Sequence, residues 1–432
     1  MSTSDNIERY LHKHAEDIEE ERKFPQPRKN LRLCIVIPAL AERENIGLVL
    51  DSLKHGSKRL DCAEVIVVVN NSTDAFDQIV QNNLKTIEEL GNRDGDRLPI
   101  LVLDRASAAK ALGISTAGVG AARRAGMDLA LRRLVKVGQL NRSAIACLDA
   151  DSPVASGYID ALLSVFDAPD RPIVALCSYR HPIPEDQAQA RAIVAYELWL
   201  RYIELGLLLS RSLCAFQTVG SCIVTSPEGY ALADGMPRAK AGEDFYFLQK
   251  VAKVGGPESV FEMRDAIVHP SARVSDRVPF GTGRAMLRCR DEGVGIYLYA
   301  EPLQAFRDMR KFFQVTSESF ENFDRLSKDI EPRLARFIER KNGWSVLDGL
   351  RKNSCDAEHF TRAANEWFDS LQVVRYARQS KEEQEAVWIF ESITQALTDL
   401  GREELISGLN VPDQANPEFS LQVEWLERLR SR

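Results

Sequence analysis

The sequence predicts an α/β domain with a mostly parallel sheet flanked by helices, followed by a mostly helical region, and three observations lead there. Short runs of strand-forming residues, apolar throughout, recur up to about residue 285. Helical patterns separate them. Beyond that point the runs stop and helical periodicity takes over. Strands that are apolar on both faces are what a covered parallel sheet requires, and their alternation with helices gives a doubly wound arrangement.

The elements follow in order. Residues Ile7 to Lys23 hold few apolar positions and many charges, so we expect a solvated helical arm, ended by a linker at Pro25 to Pro27. Leu33 to Ile37 is the first buried strand, stopped by Pro38, with a helix from about Glu44 to Leu53. Glu64 to Val69 is a second strand and ends in Asn70, Asn71, Ser72, Thr73 and Asp74. Ile100 to Leu103, a helix from Val119 to Val135, then Ser143 to Leu148 and Ile173 to Cys177 continue the alternation. Near the end, Ala386, Ile389, Phe390, Ile393, Leu397 and Leu400 fall at helical spacing and stop at Gly401, a fitting cap. The expected division is an N-terminal arm and linker over 1–30, an α/β domain over 31–285 and a helical region over 286–432.

Composition narrows the function classes. A chain of 432 residues exceeds the size at which a single core usually stops growing. Apolar residues make up 44 %, ordinary for a folded protein. The formal charge of -7 comes with no basic stripe in either half, which argues against a nucleic-acid partner. The charged N-terminus lacks the apolar core of a secretion signal, so a cytoplasmic location is the expectation. No stretch approaches the roughly 20 apolar residues of a membrane span. The eight cysteines are scattered without a CxxC pair, which points to reduced, buried thiols.

In an open parallel sheet, ligands bind beyond the carboxyl ends of the strands. Here those ends are polar or acidic. The first strand is followed by Pro38, Ala39, Leu40, Ala41 and Glu42, the second by Asn70 to Asp74, the fourth by Asp149, Ala150 and Asp151. Such loops often carry Asp, Asn and Ser only to cap the next helix. Asp149 and Asp151 ask for more, because two carboxylates one residue apart at the end of an apolar strand repel unless a cation or ligand sits between them. A hard divalent ion, Mg²⁺ or Mn²⁺, held by one or two carboxylates and the phosphates of a nucleotide diphosphate, answers that need.

These residues resemble a family. Pro38 with Glu42, Val67 to Asp74 (VVVNNSTD), Gly120 to Gly126 (GAARRAG), Leu148 to Asp151 (LDAD) and Gly242 to Asp244 (GED) occur in the order seen in family 2 glycosyltransferases, whose fold is called GT-A. The resemblance covers about residues 31 to 285. It implies a nucleotide-sugar donor, with Pro38, Ala39, Glu42 and Asn70 lining the nucleoside pocket. Many relatives have Asp where this chain has Asn70, which leaves the base open. It also implies that Arg123 reaches the nucleotide phosphates, that Asp149 faces ribose or a metal-bound water, and that Asp151 binds the metal. His269 is similar in position to a late histidine that supplies a further metal ligand in several GT-A enzymes. The loop after it, with Arg273, Arg277, Gly281, Thr282, Gly283 and Arg284, suits a lid over the diphosphate, Arg277 and Arg284 neutralising its charge.

Asp244 is the candidate general base toward an acceptor hydroxyl, with Glu243 beside it raising its pKa by like-charge repulsion. The alternative is that both merely charge the first turn of a helix over Phe245 to Ala252. The acceptor side is expected near Gln217, Thr218, Val219, Gly220 and Ser221, with His181, Glu197 and Arg201 as further polar candidates. Acceptor identity, stereochemical outcome and oligomeric state stay open. A nucleotide-sugar pyrophosphorylase would need a Gly-rich basic loop straight after the first strand, and Pro38 to Asn45 offers none. A non-catalytic binding protein would be expected to have lost the acidic set, which is present.

Overall fold

The computed structural model describes residues 3–92, 97–216, 218–384 and 386–431. It divides into two compact units, the first made of residues 1–182, 218–271 and 277–281, the second of 183–217, 272–276 and 282–432.

The first unit is built on a seven-stranded sheet. Its strands are β1 (Leu33–Ala39), β2 (Ala63–Asn70), β3 (Ile100–Arg105), β4 (Ala144–Cys147), β5 (Val174–Tyr179), β6 (Ile223–Thr225) and β7 (Val260–Val268), in the order β3-β2-β1-β4-β6-β5-β7. Only β6 runs antiparallel to its neighbours β4 and β5; the other pairs are parallel. Every residue of β1 and β2 is buried, as their largely apolar runs require, the buried Glu64 of β2 accepting from Arg133. Because β1 pairs with β2 on one side and β4 on the other, the chain reverses its direction of travel there. The crevice beyond the carboxyl ends of β1 and β4 is therefore the topological switch point.

Helices α1 (Thr3–Lys13), α2 (Arg43–Lys54), α3 (Asp77–Gly91) and α4 (Val119–Val137) belong to this unit. α4 lies close on the sheet: a β-carbon at Gly126 would stand 2.3 Å from Val36 Cγ1. Glycine is thus required by contact.

The N-terminal arm is not solvated, contrary to its charged composition. Ile7, Tyr10 and Ile18 are buried. The Tyr10 hydroxyl donates to the fully buried Asp128 of α4 at 2.6 Å, as does Tyr230 at 2.7 Å, and the Glu16 amide donates to the same carboxylate at 2.8 Å. Burial raises the pKa of Asp128 while these donors and Arg124 oppose the rise. Arg124 also donates to the carbonyls of His14 at 2.7 Å, Asp234 at 3.1 Å and Met236 at 2.9 Å. Few apolar positions suffice because the contact is polar and its acceptor sits inside a helix.

The second unit is helical. Its longest helix, Gln187–Ser210, is capped by Asp186, whose carboxylate accepts from the Gln189 amide at 2.8 Å. The sequence places this helix within the α/β domain; the structure groups it with the helical region. The reason is its burial, for Tyr202, Leu205 and Leu209 join one core with Phe306, Met309, Phe312, Phe360, Phe390, Ile393, Trp425 and Leu426. Glu197 and Arg201 serve that core, Arg430 donating to Glu197 at 2.8 and 2.6 Å and Arg201 at 3.1 Å. The terminal periodic segment forms the helix Ile389–Asp399, with Val387 and Trp388 in a short strand before it and Gly401 at φ +65° after it. No helix among the described residues is long and apolar enough to cross a membrane.

Candidate active site

The first unit gathers most of the sequence-predicted residues at the carboxyl ends of its strands. Pro38 and Ala39 complete β1, and the chain then turns through Ala41 at φ +53° into α2. A non-glycine residue there is held by its partners: the Ala41 amide donates to Asn83 Oδ1 at 2.9 Å. Asn83 Nδ2 donates to the Asn70 carbonyl at 3.0 Å and to Asn71 Oδ1 at 2.9 Å. Asn83, fully buried on α3, thus ties together the loops that follow β1 and β2. Sequence reasoning missed it. The signal was a polar residue on the inward face of α3, in line with buried Thr86 and Leu90.

Glu42 is buried and accepts from Asn45 Nδ2 at 2.7 Å and from Arg277 Nη2 at 2.6 Å. Arg277 also donates to the Leu40 carbonyl at 2.7 Å. The loop expected as a lid is divided: 277–281 belongs to this unit, while Arg273, Thr282, Gly283 and Arg284 belong to the helical one, where Arg284 is exposed on the first turn of the helix Thr282–Glu292.

Arg123 is the centre of the acidic set. Its side chain is 4 % exposed and donates to Asp149 at 2.5 Å through Nη2 and to Glu243 through Nη1. Burial opposes its charge, but Asp149 and Glu243 outweigh burial and raise its pKa. Gly220 lies against the same guanidinium, since a β-carbon there would stand 2.4 Å from Nη1. The neighbouring Ser221 hydroxyl is buried with no hydrogen-bond partner among the described residues. Thr218 and Val219 lead into this turn, and Gln217 lies outside the described residues.

Asp244 follows Glu243 at the start of the helix Glu243–Gly255. Burial first, then the Glu243 carboxylate, push its pKa up to about 6, against the opposing pull of Arg123. Its Oδ1 accepts from the Phe245 amide at 2.8 Å. A half-buried carboxylate poised near neutrality can take a proton from a hydroxyl.

The segments that carry Asp151 and His269, far apart in sequence, are joined by an antiparallel bridge between Val154 and Val268. The His269 amide donates to the Pro153 carbonyl at 2.8 Å, and its ring Nδ1 lies 3.0 Å from the Arg180 carbonyl. A carbonyl only accepts, so Nδ1 carries the proton and Nε2 offers a lone pair. No group of three or more His, Cys, Asp or Glu able to hold a metal occurs among the described residues. An ion such as Mg²⁺ or Mn²⁺ needs only one or two protein ligands when substrate phosphates and water complete its shell. His181 is buried, its ring edge-on to Tyr179 with centroids 5.7 Å apart.

Residues 34–218 match the family model described as glycosyl transferase family 2. That span holds β1, β2, β4, Arg123, Asp149 and Asp151 and ends before Glu243, Asp244 and His269. No curated protein matches the chain. Similar solved structures include residues 1–349 of TarS from S. aureus, at 12 % identity over 78 % of this chain and 91 % of that one, with a TM-score of 0.35. Another is the mannosyltransferase PcManGT from Pyrobaculum calidifontis in complex with GDP-Man and Mn²⁺, at 14 % identity over 99 % and 94 %, TM-score 0.36. A third is glucosyl-3-phosphoglycerate synthase from Mycobacterium tuberculosis with Mn²⁺, UDP and phosphoglyceric acid, at 15 % identity over 72 % and 82 %, TM-score 0.33. The mostly parallel sheet, its switch point and the match over residues 34–218 agree with the ordered motifs: the fold is GT-A, and residues 34–218 form a glycosyl transferase family 2 domain.

Proposed function

We propose that the protein transfers a sugar from a nucleotide-sugar donor to a hydroxyl acceptor, with a divalent cation, Mg²⁺ or Mn²⁺, at the donor diphosphate. The observation that carries this reading is the Arg123 clamp, which holds Asp149 at the end of β4 and Glu243 next to Asp244, all at the switch side of the sheet. Pro38, Ala39, Glu42 and Asn70 would receive the nucleoside, with Asn83 fixing the two loops that carry them. Asp151 and His269 would hold the cation, which when bound supplies positive charge to the departing diphosphate. Arg277 would add to that charge.

Asp149 would orient the donor through its remaining oxygen while Arg123 fixes the other. The Ser221 hydroxyl and the Thr218, Val219 and Gly220 backbone would face the acceptor. Asp244 would accept the acceptor proton as the new bond to the anomeric carbon forms and the bond to the diphosphate oxygen breaks, the outcome being inversion. Glu243, paired with Arg123, acts by raising the affinity of Asp244 for that proton.

Calorimetric titration with UDP and GDP in Mn²⁺ and in chelator tests the donor side. Binding of at least one nucleotide in Mn²⁺, lost in chelator and in Asp151→Ala, is expected. Binding unchanged by chelator would remove the cation from the proposal.

A further inference from the structure

We propose that the acceptor is a neutral carbohydrate whose pyranose ring stacks on the side chains of Phe280 and Tyr246. The inference rests on the glycosyltransferase reading above and adds the acceptor's chemical class to it. Phe280 is 56 % exposed and Tyr246 46 % exposed. These are not scattered surface aromatics. A β-carbon on Gly242 would lie 3.4 Å from Phe280 Cζ and 3.8 Å from Tyr246 Cε2, so two rings from separate segments converge on one residue. That residue stands two positions before Asp244.

The backbone conformation at this point sets where the helix and its rings begin. Gly242 has φ +77°, in the left-handed region, and it ends a loop by starting the helix Glu243–Gly255. A β-carbon at Gly242 would make ordinary van der Waals contact with both rings, so the two rings border the helix start directly. Both rings are also placed by firm supports. Tyr246 is on the first turn of the helix and meets Phe245 edge-on, centroids 5.5 Å apart. Phe280 lies three residues after Arg277, which is bound to Glu42 and to the Leu40 carbonyl. The segment 277–281 thus runs from the nucleoside side of the domain to the general base.

The chemistry of the surroundings selects the occupant. Exposed aromatic faces beside a polar site match a ligand with an apolar face and a polar rim, and the C–H face of a pyranose with its equatorial hydroxyls is such a ligand. The charged groups that act on Asp244 include the carboxylates Glu243 and Asp149 and the guanidinium of Arg123. An acceptor bearing phosphate or carboxylate near its reacting hydroxyl would meet that acidic set; a neutral sugar would not. A flat nucleobase could also stack on such rings, but Pro38, Ala39, Glu42 and Asn70 at the ends of β1 and β2 already provide its place in the reading above.

The test is saturation-transfer NMR on the full chain with methyl α-D-glucopyranoside, methyl β-D-glucopyranoside and methyl α-D-mannopyranoside, each with and without Mn²⁺ and UDP or GDP. At least one pyranoside should receive saturation on its ring C–H protons. Phe280→Ala and Tyr246→Ala should each weaken that binding by about two- to tenfold, and Phe280→Trp should retain it. Sorbitol, which has the hydroxyls without the ring, should receive none. Transfer to no pyranoside, transfer equal for sorbitol, or transfer unchanged in both alanine variants would overturn the proposal. Calorimetry with UDP and GDP in the same samples separates the two readings. Nucleotide binding without a pyranoside signal sinks the acceptor class alone, whereas absence of nucleotide binding sinks the donor reading and leaves the saccharide result to stand or fall by itself.

Discussion

Arg123 and Glu243 lie 120 residues apart in sequence and form a buried ion pair, with Asp149 on the second nitrogen of the same guanidinium. Removing the cation leaves a buried carboxylate without a partner, which typically costs about 3–5 kcal/mol. Arg123→Met should therefore lower unfolding stability by that order in urea denaturation. In any folded fraction the pKa of Asp244 should rise further, because Arg123 is what holds it down. An unchanged urea midpoint would show that the clamp carries no energetic weight.

Asp244→Asn should keep nucleotide affinity while turnover falls by about 100- to 10,000-fold, the range a general base supplies. The asparagine preserves shape and the helix start but takes no proton. Near-normal turnover, or a product with retained anomeric configuration, would return Asp244 to the role of a helix-charging residue.

The pH dependence follows from the same carboxylate. Its pKa in the folded protein, about 6, lies above the ordinary value of 3.8. The folded state therefore binds the proton more tightly than the unfolded one. The stabilisation this gives is complete below the ordinary value and is lost as pH rises through about 6. Activity moves the opposite way, since the base works deprotonated, and kcat should climb through the same range. Glu243→Gln should shift that limb to lower pH by removing the neighbouring charge. A limb that stayed in place would mean that burial alone sets it.

His269→Ala should weaken Mn²⁺ affinity more than it lowers Tm. The Nδ1 bond to the Arg180 carbonyl gives the ring a structural share, so some loss of Tm is expected as well. An unaltered Mn²⁺ titration with a lowered Tm would make the histidine purely structural.

Tyr10→Phe removes one of the donors to the buried Asp128 carboxylate and should cost about 1–3 kcal/mol. Thermal unfolding measures it. A neutral substitution would mean that Tyr230 and the Glu16 amide satisfy Asp128 without help.

Much of the sheet is legible in the sequence because its strands are buried on both faces, and such strands write themselves as unbroken apolar runs. β1, β2 and β4 fall within a residue or two of the runs at Leu33, Glu64 and Ser143. Strand ends then locate Glu42, Asn70, Asp149 and Asp151 without further information. What escapes is whatever depends on pairing between distant segments. The charged N-terminal arm reads as solvated because its acceptor, Asp128, is concealed within α4. Arg123 reads as a phosphate ligand because nothing local announces that Glu243 will meet it. The helix Gln187–Ser210 follows β5 directly and so reads as part of the α/β alternation, although its burial within the helical core decides otherwise.

Arg123 and Arg124 are consecutive on α4, and their side chains leave the helix in different directions. One grips Asp149 and Glu243; the other grips the carbonyls of His14, Asp234 and Met236. The helix is thereby pinned at one level to two parts of the molecule. A slide or roll of α4 that loosened the N-terminal segment would also pull on the carboxylates beside Asp244. The segment from Tyr10 to Glu16 is for that reason a brace for the carboxylates beside Asp244, and a cut at about residue 16 would register in the ionisation of a residue more than two hundred positions away.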